Sequence, residues 1–342
     1  MQPDVRRTLH VLVAAMLYYS GVLALVLFVR RRWLHESGTY ILGFHRVLPE
    51  SEKRRSNSLP GMILSEAVFV ELVDYLRKRM QFVTLEALLK DSVGSDNHEK
   101  PRCLITFDDA WIDTCTRAVP LLKKKEAPAV VFVPTGLVGK QEGFWVEQLI
   151  GASKDPSSHA RLAPLFERVP LPRAGDGEID EVVQWLLHMP AQNRQSILES
   201  ALPPASHNGH ESVDAIMSWE QLAQVKAQGI EIGGHTITHP LLTYEDDEAV
   251  TRELCLGKQA LEQELGASVL AFAYPNGDMD RRVREQVIEA GYACAFTTEP
   301  RCHRENGDKY EIPRFLLHDG NVTGLRGTFS PAVLNLTLLG WA

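Results

Sequence analysis

The longest apolar run lies near the start of the chain. Residues 9–29 contain no acidic residue, no Lys and no Arg, and Arg6-Arg7 and Arg30-Arg31-Arg32-Trp33 bracket them. A helix of that length spans about 31 Å at 1.5 Å per residue, the thickness of a bilayer's hydrocarbon core. A cleaved signal peptide has a shorter apolar stretch followed by small residues, whereas three arginines follow this one. The pattern predicts one N-terminal transmembrane helix and a single-pass protein of a bacterial-type inner membrane. Arginines at both ends leave the face of the membrane open.

Beyond residue 35 the apolar positions come in short blocks separated by helical periodicity. Thr39–Phe44 (TYILGF), Arg102–Phe107 (RCLITF) and Ala129–Val133 (AVVFV) read as buried strands. Residues 65–80 place Val68, Phe69, Leu72, Val73 and Leu76 at the helical period, with Ser65 positioned to cap them. Residues 82–85 read as a strand, 50–57 as an exposed loop, and 112–125 as a helix joining two parallel strands. After residue 217 the alternation is regular. Helices are expected at 219–227, 246–265 and 280–290, and strands at 230–232, 269–273, 293–296 and 312–317. Residues 140–217 interrupt it with Pro, Gly and polar clusters around helical pieces at 178–188 and 191–202, and are read as a largely helical insertion.

Strands alternating with helices over this length predict an α/β fold, a barrel or a doubly wound sheet. The chain divides into an anchor (1–34), a catalytic domain (35–325) and a C-terminal tail (326–342). Composition narrows the function classes. With 44% hydrophobic and 23% charged residues the chain is neither disordered nor fibrous. Its net charge of −8, despite five N-terminal arginines, disfavours a nucleic-acid partner. Five cysteines without a C-x-x-C pair imply neither a disulfide framework nor a structural zinc site.

Chemistry in such folds gathers at the C-terminal ends of parallel strands. His45 follows the first strand, Asp108-Asp109 follow RCLITF, and His235 follows the strand at 230–232 with His239 four residues on. Two histidines at i and i+4 reach one metal if the segment turns helically. A strand-end carboxylate then completes a three-ligand set with an open position for water, as a catalytic zinc needs. Asp108 or Asp109 could instead cap the next helix. Capping needs one carboxylate. Two adjacent ones point differently, so that one can bind metal while the other accepts a proton.

The segments Thr106-Phe107-Asp108-Asp109, His235-Thr236-Ile237-Thr238-His239-Pro240 and Ala273-Tyr274-Pro275-Asn276-Gly277 occur in the order seen in polysaccharide deacetylases. The chain resembles that family (carbohydrate esterase family 4, the NodB-homology domain) over about residues 38–318, interrupted by the insertion. The resemblance implies a distorted (β/α) barrel that removes acetyl groups from sugars with a divalent metal, usually Zn2+. It implies Asp108 as general base and Asp109, His235 and His239 as metal ligands.

Two features depart from the family pattern. The third motif usually opens with an Arg that orients the base, where this chain has Ala273. Arg314 in Ile312-Pro313-Arg314-Phe315 resembles an arginine of the poly-N-acetylglucosamine deacetylase branch; a structural salt bridge is the alternative. The histidine acid usually sits in a late Leu-x-His motif, followed by a helix and an F-V-T-L strand. Here that helix and Phe82-Val83-Thr84-Leu85 follow His45, as in the circularly permuted branch. This implies His45 as the acid, with His318 of Leu316-Leu317-His318 as the alternative.

The Asn276 backbone N–H is the candidate oxyanion donor, and Tyr274 and Arg314 complete the candidate substrate contacts. The expected activity is metal-dependent removal of N-acetyl groups from an acetylated amino-sugar polysaccharide or glycoconjugate. Its rivals are deformylation or deacetylation of a lipid-linked sugar, and glycan binding on a decayed site. The expected partners are an acetylated glycan or glycolipid and the membrane, and no nucleic acid.

Overall fold

The structure is a computed structural model and describes residues 5–33, 38–90, 100–169, 178–203, 212–304 and 306–340. The strands among them are β1 (Thr39–Phe44), β2 (Arg46–Leu48), β3 (Ile63–Ser65), β4 (Gln81–Phe82), β5 (Arg102–Phe107), β6 (Ala129–Val133), β7 (Glu231–Gly234), β8 (Ala271–Ala273), β9 (Cys294–Phe296) and β10 (Phe315–Leu316). All but β2 and β3 form one parallel sheet, ordered β10-β1-β5-β6-β7-β8-β9, with β4 beside the start of β5. The sheet curls into a parallel half-barrel, and a parallel bridge between Phe296 and Ile312 links its two edges.

Side-chain parity explains why the strands are apolar throughout. Leu42, Phe44, Cys103, Ile105, Phe107, Ala129, Val131 and Val133 join the large core under the outer helices. Ile41, Leu104, Val130, Phe132, Ala271, Ala273 and Phe296 form a second cluster inside the curl. Strands covered on both faces need apolar residues at both parities. The outer layer includes the helix Glu66–Arg79, whose Val68, Phe69, Leu72, Val73 and Leu76 are buried. At the last two residues of β7, neighbouring rings and backbone leave no room for a side chain. A Cβ at Gly233 would run into Phe132, and one at Gly234 into Tyr292. The insertion's helices Trp145–Lys154, His159–Arg168, Glu178–Leu187 and Ala191–Ala201 are held by a core of their own, including Leu149, Leu162, Leu165, Val182, Val183, Leu186 and Leu198.

Several expectations are corrected. The strand expected at 82–85 ends at Phe82, because the Thr84 hydroxyl accepts from Ala87 N–H and starts the helix Leu85–Lys90. The helix expected at 112–125 opens as a wide turn at Thr114–Ala118, since Pro120 has no N–H to bond back, and continues as Val119–Lys124. The loop at 50–57 holds a helical turn, Glu50–Lys53, and its Ser56 is buried. The C-terminal tail contains the helix Pro331–Thr337, and Leu334 and Leu338 enter the main core.

The single helix expected over 9–29 is two helices, α1 (Val5–Tyr19) and α2 (Val22–Trp33), bent by 73°. The break falls at Ser20-Gly21, where Gly21 takes φ +81°. Val11, Ala14 and Leu23 pack on Ala332, Val333, Leu336 and Leu339 of the C-terminal segment. Among the described residues no single helix is long and apolar enough to cross a membrane.

Candidate active site

Strand register assembles the site at the C-terminal rim. Phe44 on β1 pairs with Phe107 on β5, and Asp108 N–H donates to Phe44 O at 2.9 Å, extending the ladder by one residue. His45 and Asp108 therefore leave neighbouring strands at the same level, with His45 Nε2 3.9 Å from Asp108 Oδ2. Two strands along, Val133 pairs with Gly234 and His235 N–H donates to Val133 O at 3.1 Å.

Asp109 Oδ1 lies 3.6 Å from His235 Nε2 and 3.4 Å from His239 Nε2, and the two imidazoles approach to 3.1 Å at Nε2. Asp109 Oδ1 is buried and has no hydrogen-bond partner. Its other oxygen accepts from Trp111 Nε1–H at 3.2 Å. His235 uses Nδ1 to donate to Ala273 O at 2.6 Å, which leaves the Nε2 lone pair directed at Asp109. Burial pushes both histidines below the usual imidazole range, so they are neutral lone-pair donors. Burial and the neighbouring Asp108 charge push Asp109 well up. An orphaned carboxylate oxygen facing two neutral imidazole nitrogens fits a divalent cation, whose charge would offset the cost of ionising Asp109. These three residues are a possible metal site, and an N,N,O donor set of this kind suits zinc and its neighbours.

The segment carrying the two histidines does not turn helically, as the i, i+4 spacing had suggested. Thr236 and His239 adopt φ of +68° and +59°. For β-branched Thr236 the left-handed region costs on the order of 1–3 kcal/mol. The buried Glu253, on the helix Asp247–Leu265, offsets this. Its Oε2 accepts from Ile237 N–H at 2.7 Å and Thr238 N–H at 2.9 Å, and its Oε1 from the Thr238 hydroxyl at 2.8 Å. His239 N–H in turn donates to the Thr236 hydroxyl at 2.9 Å.

Asp108 continues the inward parity of Leu104 and Thr106, and there it meets Arg314. Nη1 donates to Oδ1 at 2.7 Å and Nη2 to Oδ2 at 2.8 Å, a bidentate pair between buried groups. Nε donates to Thr297 O at 2.9 Å, which aims the fork. Burial raises the Asp108 pKa, but the charge and hydrogen bonds of Arg314, with His235 and His45, together outweigh it and hold the carboxyl well below its usual range. His45 is lowered to about 4 by burial, which outweighs the opposing Asp108 charge.

The remaining expected residues are Asn276, Tyr274 and His318. Asn276 sits in the turn Pro275–Gly277 with φ +57°, beyond the end of β8. The Tyr274 ring is fully buried in the main core and its hydroxyl donates to Tyr310 O at 3.1 Å, which removes it from the candidate substrate contacts. His318 Nδ1 accepts from Gly320 N–H at 3.1 Å and caps the helix Asp319–Val322, a structural task.

Sequence reading missed three supports. Trp111 was detectable, since it lies two residues beyond Asp109. Arg46, next to His45, stacks on Trp111 at 4.2 Å and pairs with Asp113 at 2.7 Å and Asp214 at 2.9 Å, all buried. Glu253 carried no signal, because only folding brings its helix under the histidine loop.

The family model for polysaccharide deacetylase matches residues 95–295. Among solved structures, the fold is similar to the deacetylase PplD of Streptococcus pyogenes in complex with acetate (18% identity, TM-score 0.55, covering 86% of this chain and 100% of that one). It is also similar to IcaB from Ammonifex degensii (20%, 0.52, 90% and 98%). A de-N-acetylase from Aggregatibacter actinomycetemcomitans shows the same likeness (14%, 0.51, 84% and 97%). No curated protein matches the chain. A family match over more than half the chain, on a curled parallel half-barrel with Asp109, His235 and His239 gathered at its rim, shows that this chain belongs to the polysaccharide deacetylase family.

Proposed function

We propose that the chain hydrolyses the N-acetyl group of an acetylated amino sugar in a glycan or glycolipid. The observation that carries this reading is the bidentate Arg314–Asp108 pair standing beside the Asp109–His235–His239 cluster, with His45 on the adjoining strand. Asp109, His235 and His239 would hold a divalent cation such as Zn2+, which would supply Lewis acidity at this rim and lower the pKa of water.

This chain's own residues do the rest. Asp108, kept ionised by Arg314, takes the proton of the attacking water. Arg314 fills the place of the arginine that the third motif lacks, and acts through Asp108. The Asn276 N–H donates to the developing oxyanion. An amide nitrogen leaves poorly until protonated, and His45, neutral at rest because burial lowers its pKa to about 4, receives the proton that Asp108 takes from water, its Nε2 standing 3.9 Å from Asp108 Oδ2, and passes it to that nitrogen, which leaves Asp108 ionised again.

Attachment to a membrane through α1 and α2 suits a membrane-proximal substrate, and it keeps a lipid-linked sugar as the second reading. The assay is acetate release by the zinc-loaded full-length chain from N-acetylglucosamine oligomers and from lipid-linked amino sugars. Asp108→Asn is expected to keep its metal and lose activity by about 10²–10⁴-fold. Asp109→Asn is expected to lose the metal as well. A metal-loaded wild type that releases no acyl group from any of these substrates would reject the reaction in favour of glycan binding.

A further inference from the structure

The proposed reaction makes no use of residues 5–33, although most of the exposed large hydrophobic side chains among the described residues lie there. Val5, Leu9, Leu12, Met16 and Tyr19 recur every three or four residues along α1 and all face outward. Val22, Leu25, Phe28 and Val29 continue the exposed set on α2. Leu9, Leu12, Met16, Leu25 and Phe28 are each more than half exposed. The opposite side is occupied: Val11, Ala14 and Leu23 are buried against Ala332, Val333, Leu336 and Leu339. A soluble monomer rarely leaves so many large apolar side chains in water.

We propose that α1 and α2 lie within one leaflet of a lipid bilayer, along its surface, with both arginine clusters and the catalytic domain on the same side. This inference rests on the membrane attachment proposed above and specifies its geometry.

Four observations carry it. At 1.5 Å per residue α1 and α2 are about 22 Å and 18 Å long, each short of the roughly 30 Å hydrocarbon core. The 73° bend prevents them from adding end to end. Packing on the C-terminal helix ties α1 to the domain, and a spanning geometry would strip that contact. The ends also fit a headgroup layer. The sequence of the pair has no acidic residue, Arg6-Arg7 stand at one end and Arg30-Arg31-Arg32 at the other, and Tyr18-Tyr19 mark the bend. Arginines and tyrosines at the edges of an apolar face match anionic lipid headgroups and the interfacial zone.

The docking direction bears on the substrate. Arg7 Nη2–H donates to Thr323 Oγ1 at 3.0 Å. Thr323 follows the helix Asp319–Val322, which His318 caps two residues beyond β10. The start of α1 therefore sits beside the rim that carries His45 and Asp108. Embedding the stripe brings this rim near the headgroups, so that the sugar acted on is part of a glycolipid or of a glycan emerging from the bilayer.

Two experiments on the full-length chain test the geometry. With one epitope before Met1 and another after Ala342, an impermeant protease applied to right-side-out and inverted membrane vesicles should remove both epitopes from the same side. Removal from opposite sides would overturn the in-plane geometry and leave membrane attachment standing. A chain recovered without membranes would overturn both. In the second, Leu12→Asp/Met16→Asp should reduce flotation with phosphatidylethanolamine–phosphatidylglycerol vesicles by at least about tenfold. Acetate release from a soluble oligomer should stay unchanged, which shows the variant folded. Unchanged flotation would overturn the proposal. So would a wild type that fails to float and self-associates through this stripe, which would make a second copy its occupant.

Discussion

Replacing Arg314 by Met tests how the base is held. Arg314 is fully buried and Asp108 nearly so, and both carboxylate oxygens are engaged at 2.7 and 2.8 Å. Removing one partner of such a pair leaves a buried charge uncompensated and costs about 3–5 kcal/mol. Asp108→Asn strands Arg314 in the same way, softened by its bond to Thr297 O. Arg314→Met/Asp108→Asn leaves neither charge, so its cost should fall below the sum of the singles by roughly 2–3 kcal/mol.

Urea unfolding of the full-length chain in mild detergent at pH 7, followed by tryptophan fluorescence, measures all four corners of the cycle. The pH dependence supplies a second arm. Asp108 has a depressed pKa in the folded chain, so its contribution is present above the unfolded value of 3.8 and lost as pH falls toward the folded one. The deficit of Arg314→Met should accordingly shrink on acidification, because its buried Asp108 can escape the penalty by taking up a proton. Additivity within about 0.5 kcal/mol, with a deficit independent of pH, would refute the claim that Arg314 acts through Asp108.

Three further outcomes are expected. Glu253→Gln keeps the shape but weakens the bonds that hold Ile237 and Thr238, so metal should dissociate about 10–100-fold more readily, with activity recovered in excess metal; unaltered metal affinity in an equilibrium titration would remove this positioning role. Glu147, from the insertion, is buried with Oε1 unpartnered and its pKa is pushed up to about 7 by burial. Because a carboxylate raised on folding destabilises the fold as pH climbs from 4.5 through 7, Glu147→Gln should raise the urea midpoint at pH 8 and change it little at pH 4; the opposite ordering would contradict the burial argument. His45→Ala should lose turnover steeply on amide substrates and much less on activated acetyl esters, whose leaving groups need no proton, and equal losses on both would count against its role as acid.

The strands and the motifs at their ends were legible because both are local. A strand covered on both faces requires an apolar run, and a strand end in a parallel sheet requires a polar exit, so TYILGF-His45 and RCLITF-Asp108-Asp109 could be read directly. Helix Glu66–Arg79 declared itself by its 3.6-residue period. Residues 9–29 show the limit of that signal. They are apolar on every face, so the sequence showed their affinity for a dry environment. Which face meets the C-terminal helix and which stays exposed depended on a partner more than 300 residues away, and the break depended on Gly21 accepting φ +81°.

The site divides along the same line. His235, His239 and one carboxylate of the Asp108-Asp109 pair could be named from spacing, and the family resemblance chose Asp109, but the backbone that brings the histidines together is a left-handed loop held by Glu253, not a helical turn. Arg314 is 206 residues from Asp108 and reaches it because the two edges of the sheet meet at Ile312 and set β10 beside β1. Tyr274 shares a motif with Asn276, yet its ring turns into the core. Local sequence specifies the periodicity, the chemistry and the strand ends. Strand order, sheet closure and the packing of remote helices are non-local, and they decide which of those chemical groups share one buried site.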